Sequence, residues 1–175
     1  MDSAISTGNS RFDAALGTGG LPLGRLVEVS GLMDADLTLF LTDLRSSMKP
    51  ATTAILRLAS GATREGIDGL VSAAVLEKPS VLAIQSADHD GTDLLGSASV
   101  CRWLLSVAAE HHLSIVCGMP FGIRVNPGLK VVATGLASIA DLRLQVQVQA
   151  QHTGAFTVRV VKNTMAKPGA EVTFG

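Results

Sequence analysis

Asp34 and Asp36 stand two residues apart beside an apolar stretch with helical spacing, and Gly31 precedes them after an alternating stretch. A strand-to-helix turn of this kind gathers free backbone N–H groups and the positive end of a helix dipole, so it can seat phosphate. Cradling a phosphate takes bare glycine backbone, a Lys that reaches the oxygens and a Ser or Thr for Mg²⁺. Thr38 could supply the hydroxyl, but Leu37 brings no charge. Each carboxylate would repel a phosphate by ~1 kcal/mol or more at close range. Asp34 and Asp36 are suited instead to satisfying the helix's own N–H groups.

Other reactive side chains give weaker signals. Cys101 and Cys117 lie in no Cys-x-x-Cys or Cys/His pattern, so no metal and no cofactor is expected. His111 and His112 end a predicted helix, where they cap it or face solvent. Trp103 lies partly opposite the Leu face of the same helix and reads either as core or as an interface anchor. Gln145, Gln147, Gln149 and Gln151 alternate with Val146, Val148 and Ala150. They form an uncharged strand face that is either solvated or open to a partner.

The elements that position these residues follow from the apolar period, which switches between 2 and 3.6 along the chain. A helical turn is expected over 12–16, then a Gly-rich stretch over 17–24. Strands are expected over 25–30, 53–58, 80–85 and 113–117. Helices are expected over 37–48, 64–77 and 94–112. A loop broken by Pro and Gly spans 118–135. Two antiparallel strands, 139–149 and 155–163, and a last short strand, 171–174, close the chain. Strand–helix alternation over ~100 residues implies crossover units and a parallel sheet. No linker or repeat divides the chain, so one α/β domain is expected over 1–175.

Composition bounds the function. Hydrophobic residues make up 47% and charged residues 17%, against roughly 25% for an ordinary soluble domain. So little charge fits a sheet covered on both faces, or a permanent apolar interface with a partner or a second copy. A net charge of −1 gives no global basic field for nucleic acid or anionic membrane. One Trp, five Phe and no Tyr leave little for base stacking. No signal-peptide layout and no membrane-length apolar run occurs, so a cytoplasmic location is expected.

Two stretches carry a family resemblance. The run from Ile5-Ser6-Thr7-Gly8 through Phe12-Asp13-Ala14-Ala15-Leu16-Gly17-Thr18-Gly19-Gly20-Leu21-Pro22-Leu23-Gly24-Arg25 resembles the segment of bacterial RecA that leads into its phosphate loop: ISTG, then LDxALGxGGLPxGR, then a strand. Val158-Arg159-Val160-Val161-Lys162-Asn163-Thr164-Met165-Ala166-Lys167-Pro168 resembles the family's VKVVKNKxAxP strand and turn. They occur in the family's order and span nearly the whole chain. The resemblance implies a RecA-like P-loop NTPase core: a mostly parallel twisted sheet flanked by helices, with antiparallel C-terminal strands. It implies no N-terminal polymerisation segment and no C-terminal domain, because the match begins at the ISTG segment.

The resemblance also says what has changed. Gly31 and Thr38 fit the phosphate loop, but Asp36 stands at its second glycine and Leu37 at its Lys. Ala59 stands where the family has its catalytic Glu, and Gln85 where an Asp supports Mg²⁺. Val116-Cys117-Gly118-Met119 lacks the Asn-Gln sensor of the γ-phosphate. These parts stabilise charge or activate water in phosphoryl transfer, so no catalytic residue and no ATPase activity is expected. The first DNA-binding loop corresponds to Ala87-Asp88-His89-Asp90-Gly91-Thr92-Asp93, which is acidic. The second offers only Arg124 and Lys130, about two phosphate contacts against the six to ten of firm binders. Weak or no DNA binding is expected. Lys162 matches one of two family lysines that reach a neighbour's ATP, while Thr164 replaces the other. Without ATP it reads as a surface or interface charge.

The chain thus resembles the ImuA group, RecA-like proteins without a working ATP site that assist an error-prone polymerase complex. That resemblance implies a protein partner, RecA or a polymerase-like subunit, in the DNA-damage (SOS) response. A cell-division inhibitor similar to SulA and a regulator of RecA filaments are the alternatives.

Overall fold

The computed structural model describes residues 3–31, 33–48, 52–59, 61–86, 94–120, 135–149 and 154–175. The chain opens with β1 (Ala4–Ile5), α1 (Ser10–Leu16) and β2 (Leu21–Pro22), and β1 pairs antiparallel with β2. There follow β3 (Leu26–Gly31), α2 (Asp34–Ser47), β4 (Thr53–Leu58), α3 (Arg64–Leu76) and β5 (Val81–Ser86). A single 3₁₀ turn (Leu94–Gly96) leads into α4 (Ala98–His111) and β6 (Ser114–Pro120). The chain closes with α5 (Gly135–Ile139), β7 (Leu142–Val148), β8 (Phe156–Asn163) and β9 (Glu171–Phe174).

The main sheet has seven strands in the order β4-β5-β6-β3-β7-β8-β9. The first five in that order run parallel, and β8 and β9 join antiparallel. The expected α/β class, with a mostly parallel sheet and antiparallel C-terminal strands, is what forms. Sequence explains the division. Strands β5 and β6 are buried along their whole length, as their near-continuous apolar runs require when helices cover both faces. Strand β7 alternates, with Leu142, Leu144 and Val146 buried and Gln145 and Gln147 exposed, so only one of its faces meets the core.

Each face has its own core. On one, α1 and α2 bury Phe12, Leu16, Leu37, Phe40 and Leu41 against Val27, Val29, Leu144, Val146 and Val158. Phe12, Phe40, Phe156 and Phe174 form a closed ring of contacts there, with Phe156 and Phe174 stacked at 4.7 Å. On the other, α3 and α4 bury Ile67, Val71, Cys101, Leu104 and Ala108 against Leu82, Ile84, Ile115 and Cys117.

Several boundaries move from expectation. Helix α2 begins at Asp34 and not at 37, because Asp36 supplies the cap that the apolar spacing does not register. Helix α4 begins at Ala98; the residues before it turn at Gly96. Strand β6 runs on to Pro120, held by its pairing with β3 as far as Gly31. The end of the expected loop and the start of the expected strand at 139 are instead helix α5, whose five residues are too few to display a period. Of the stretch between the two expected antiparallel strands, residues 150–153 lie outside the described residues.

Candidate functional site

Strand β3 lies in the middle of the sheet, with parallel neighbours on both sides: β6 on one, β7 on the other. Such a reversal point, at the carboxyl ends of the strands, is where open α/β sheets form their binding crevice. The turn from Gly31 into α2 sits there, beside the carboxyl ends of β5 and β6. The structure brings Gly31, Asp34, Asp36, Leu37 and Thr38 together with Gln85 and Gly118.

Asp36 is buried, 8% exposed, and its Oδ2 accepts the Met33 N–H at 3.2 Å. It therefore caps α2 from its third residue, reaching back over the first turn. Asp34 does not cap. Its Oδ1 accepts from Gln85 Nε2, which corrects the expectation that both acids serve the helix N–H groups. The same Gln85 nitrogen donates to Thr38 Oγ1 at 2.9 Å and to the Asp34 carbonyl at 3.3 Å. Gln85 is 3% exposed, Thr38 is half-buried and Asp34 is exposed, so the network runs from the sheet's interior to the surface.

Leu37 is fully buried. A side-chain carbon built on Gly31 would meet Leu37 Cδ2 at 3.4 Å, and one on Gly118 would meet Leu37 Cδ1 at 3.7 Å. Leu37 thus fills the space between the ends of β3 and β6. Asp36 thus serves the Met33 N–H, Gln85 joins Asp34 to Thr38, and Leu37 points into the core. None of Gly31, Asp34, Asp36, Leu37 and Thr38 offers a phosphate a cation.

The remaining candidates are dispersed. Trp103 is half-buried against the α3–α4 core, with the Arg64 guanidinium 4.3 Å over its ring. Lys162 is half-buried. Its Nζ donates to the Ala140 carbonyl at 2.7 Å and the Ser138 carbonyl at 3.5 Å. It thereby closes the C-terminal end of α5, where orphan carbonyls favour a cation. Arg124, Lys130 and the stretch 87–93 lie outside the described residues. Ala59 is exposed beyond β4. Gln145 and Gln147 are exposed on β7, and Gln149, exposed just past its end, donates to Thr157 Oγ1 at 2.7 Å; Gln151 lies outside the described residues. His112 is the left-handed cap of α4.

Among the described residues no group of three His, Cys, Asp or Glu could hold a metal, and no helix is long and apolar enough to cross a membrane. Sequence reasoning missed two features. One is Gln85 as the hub of the turn; a buried amide ending an otherwise apolar strand was the available signal. The other is an open groove of about 650 Å³ along the outer edge of β4, lined by Ile55, Leu56, Leu70, Ala73, Arg45 and Glu77. That edge is unpaired among the described residues, and Leu70 is 45% exposed beside it.

Compared with known proteins, the chain matches no family model and no curated protein.

Proposed function

We propose that the chain is a RecA-like core that has given up nucleotide chemistry and acts by binding proteins, as an ImuA-like accessory of mutagenic DNA synthesis in the bacterial DNA-damage response. The observation that carries the reading is the turn itself: Gln85 Nε2 holds Asp34 and Thr38, and Leu37 is buried where a phosphate would need a Lys. The two sequence resemblances and a parallel sheet with this turn at its reversal point supply the RecA part. The β4 edge, unpaired among the described residues, and the groove beside it support the binding part, since an exposed edge strand invites pairing by another chain.

Two measurements test it together. Calorimetry with Mg-ATP should show no heat of binding at micromolar protein. Affinity capture from DNA-damaged cells, read by mass spectrometry, should recover RecA or a polymerase subunit, and Leu70→Glu at the groove should lower that recovery. Micromolar ATP affinity, or an eluate without either protein, defeats the proposal.

A further inference from the structure

The groove along β4 has two unlike walls. Alternation divides the strand between them. Thr53 and Ile55 face α2: Thr53 Oγ1 donates to Met48 Sδ at 3.7 Å, and Ile55 packs on the α1–α2 core. Ala54, Leu56 and Leu58 face α3. Arg57 follows Ile55 on the α2 side and is exposed, as is Arg45 on α2 itself. Among the described residues the ion pairs are Arg25–Asp141 and Arg143–Glu28, and neither involves these two guanidiniums. The opposite wall is α3, with Leu70 45% exposed, Ala73 exposed beside it and Glu77 at the helix cap.

These walls decide what can lie between them. An edge strand leaves one row of backbone N–H and C=O groups for another strand. Thr53–Leu58 give that row about 20 Å of length, enough for about six residues. A second copy of the chain fits poorly. Antiparallel pairing of β4 with its own image keeps both α2 walls on one face and runs the two strands in opposite directions. Arg57 of each copy then lies toward the Arg45 end of the other, and like charges set across paired strands destabilise the pair. A segment with two different faces fits well. The side chains of an added strand alternate between the walls. Acids on one face meet Arg45 and Arg57, and aliphatic groups on the other meet Leu70 and Ala73.

We propose that this groove binds an extended segment of another protein in which acidic and aliphatic residues alternate. The segment adds to the sheet beside β4. Main-chain hydrogen bonds to the edge hold it, and the side chains select it. The two free guanidiniums fix which of its faces turns toward α2 and set the sign of charge it must carry. The inference rests on the reading that the β4 edge binds protein, and it names the partner's chemistry at that edge.

The test is ¹⁵N NMR of the full chain at low salt, following the backbone amides of β4 and of Leu70 and Ala73. The probes are terminally blocked heptapeptides: alternating Glu and Val, alternating Lys and Val, alternating Glu and Ser, and the Glu and Val residues regrouped into two blocks. The Glu–Val peptide should shift these signals saturably and slow hydrogen exchange of the β4 amides. The other three should bind at least about ten-fold more weakly. Arg57→Glu, an exposed change that leaves the fold intact, should weaken the Glu–Val peptide about ten-fold and tighten the Lys–Val peptide. A merely structural role for Arg57 would not reverse that preference. No saturable shift, equal binding of any control peptide, or an unchanged preference in Arg57→Glu overturns the inference. So does a concentration-dependent shift of the β4 amides without peptide, which would make a second copy the occupant. Each of these leaves the proposed function to the capture of RecA or a polymerase subunit. Failure of that capture with Glu–Val binding intact defeats the proposed function alone.

Discussion

The stretch 5–24 and the turn 31–38 are neighbours in sequence, and both place glycine beside a helix end. In the first, Gly20 has φ +148°, and a side-chain carbon there would sit 2.0 Å from the Ile5 carbonyl oxygen. Gly8 has φ +81°, and its added carbon would sit 2.2 Å from the Ser47 carbonyl oxygen. Around them Asn9 caps α1, and Asp13 accepts from Thr7 N at 2.9 Å and Thr7 Oγ1 at 2.6 Å. In the second, Asp34 and Asp36 occupy ordinary helical backbone, so nothing in the chain requires glycine there. Stretch 5–24 needs Gly8 and Gly20 because its own backbone demands them. In 31–38 a side chain is accommodated at position 36, and it caps the helix.

Four experiments break or sharpen this comparison. Gly20→Ala should cost about 4 kcal/mol or more, because backbone lies in the path of the new methyl and φ is strained; denaturant titration reads it. Leu37→Lys should cost about 3 kcal/mol through an unpaired buried charge. It should not confer Mg-ATP binding by calorimetry, and recovered binding would show that the turn still tolerates phosphate. Asp36→Ala should cost about 1 kcal/mol as a lost helix cap, read as a shift in thermal midpoint; a cost like that of Gly20→Ala would erase the distinction.

The smallest effect belongs to Asp43, which lines a narrow gap with Thr7, Asn9 and Phe12. Burial raises its carboxyl above the ordinary value of 3.8. An acid with a raised pKa is held more tightly by its proton in the folded chain. Stability therefore falls as pH rises through the window just above 3.8, and the penalty persists at neutral pH. Asp43→Asn should recover a few tenths of a kcal/mol at pH 7, the group being partly solvated. The gain should vanish near pH 3, and denaturation at the two pH values checks it.

The strong periods were legible: the apolar runs of β5 and β6, the alternation of β7, and the Leu spacing of α2 and α4 all formed the elements they imply. The five-residue α5 was not legible, because its identity comes from tertiary holds, Leu136 in the core and Lys162 on its last carbonyls. Of the candidate site, the acids and Leu37 could be read from residue type and position. The Gln85 network could not, because it joins residues about fifty positions apart and depends on strand order. Lys162 reads as a surface or interface charge by sequence; its bonds to the carbonyls at the end of α5 could not be read, since the chain position of α5 was itself unknown.

Trp103 and the phenylalanine ring lie on opposite faces of the sheet. The chain has no Tyr and a single Trp. Its intrinsic fluorescence on excitation near 295 nm therefore comes from one indole beneath the Arg64 guanidinium and is blind to the four rings beyond the sheet. Emission follows the α3–α4 side, and four of the five phenylalanines that give the near-ultraviolet dichroism fine structure lie on the α1–α2 side. A melt recorded by both signals would show whether the two halves of the domain come apart in one step.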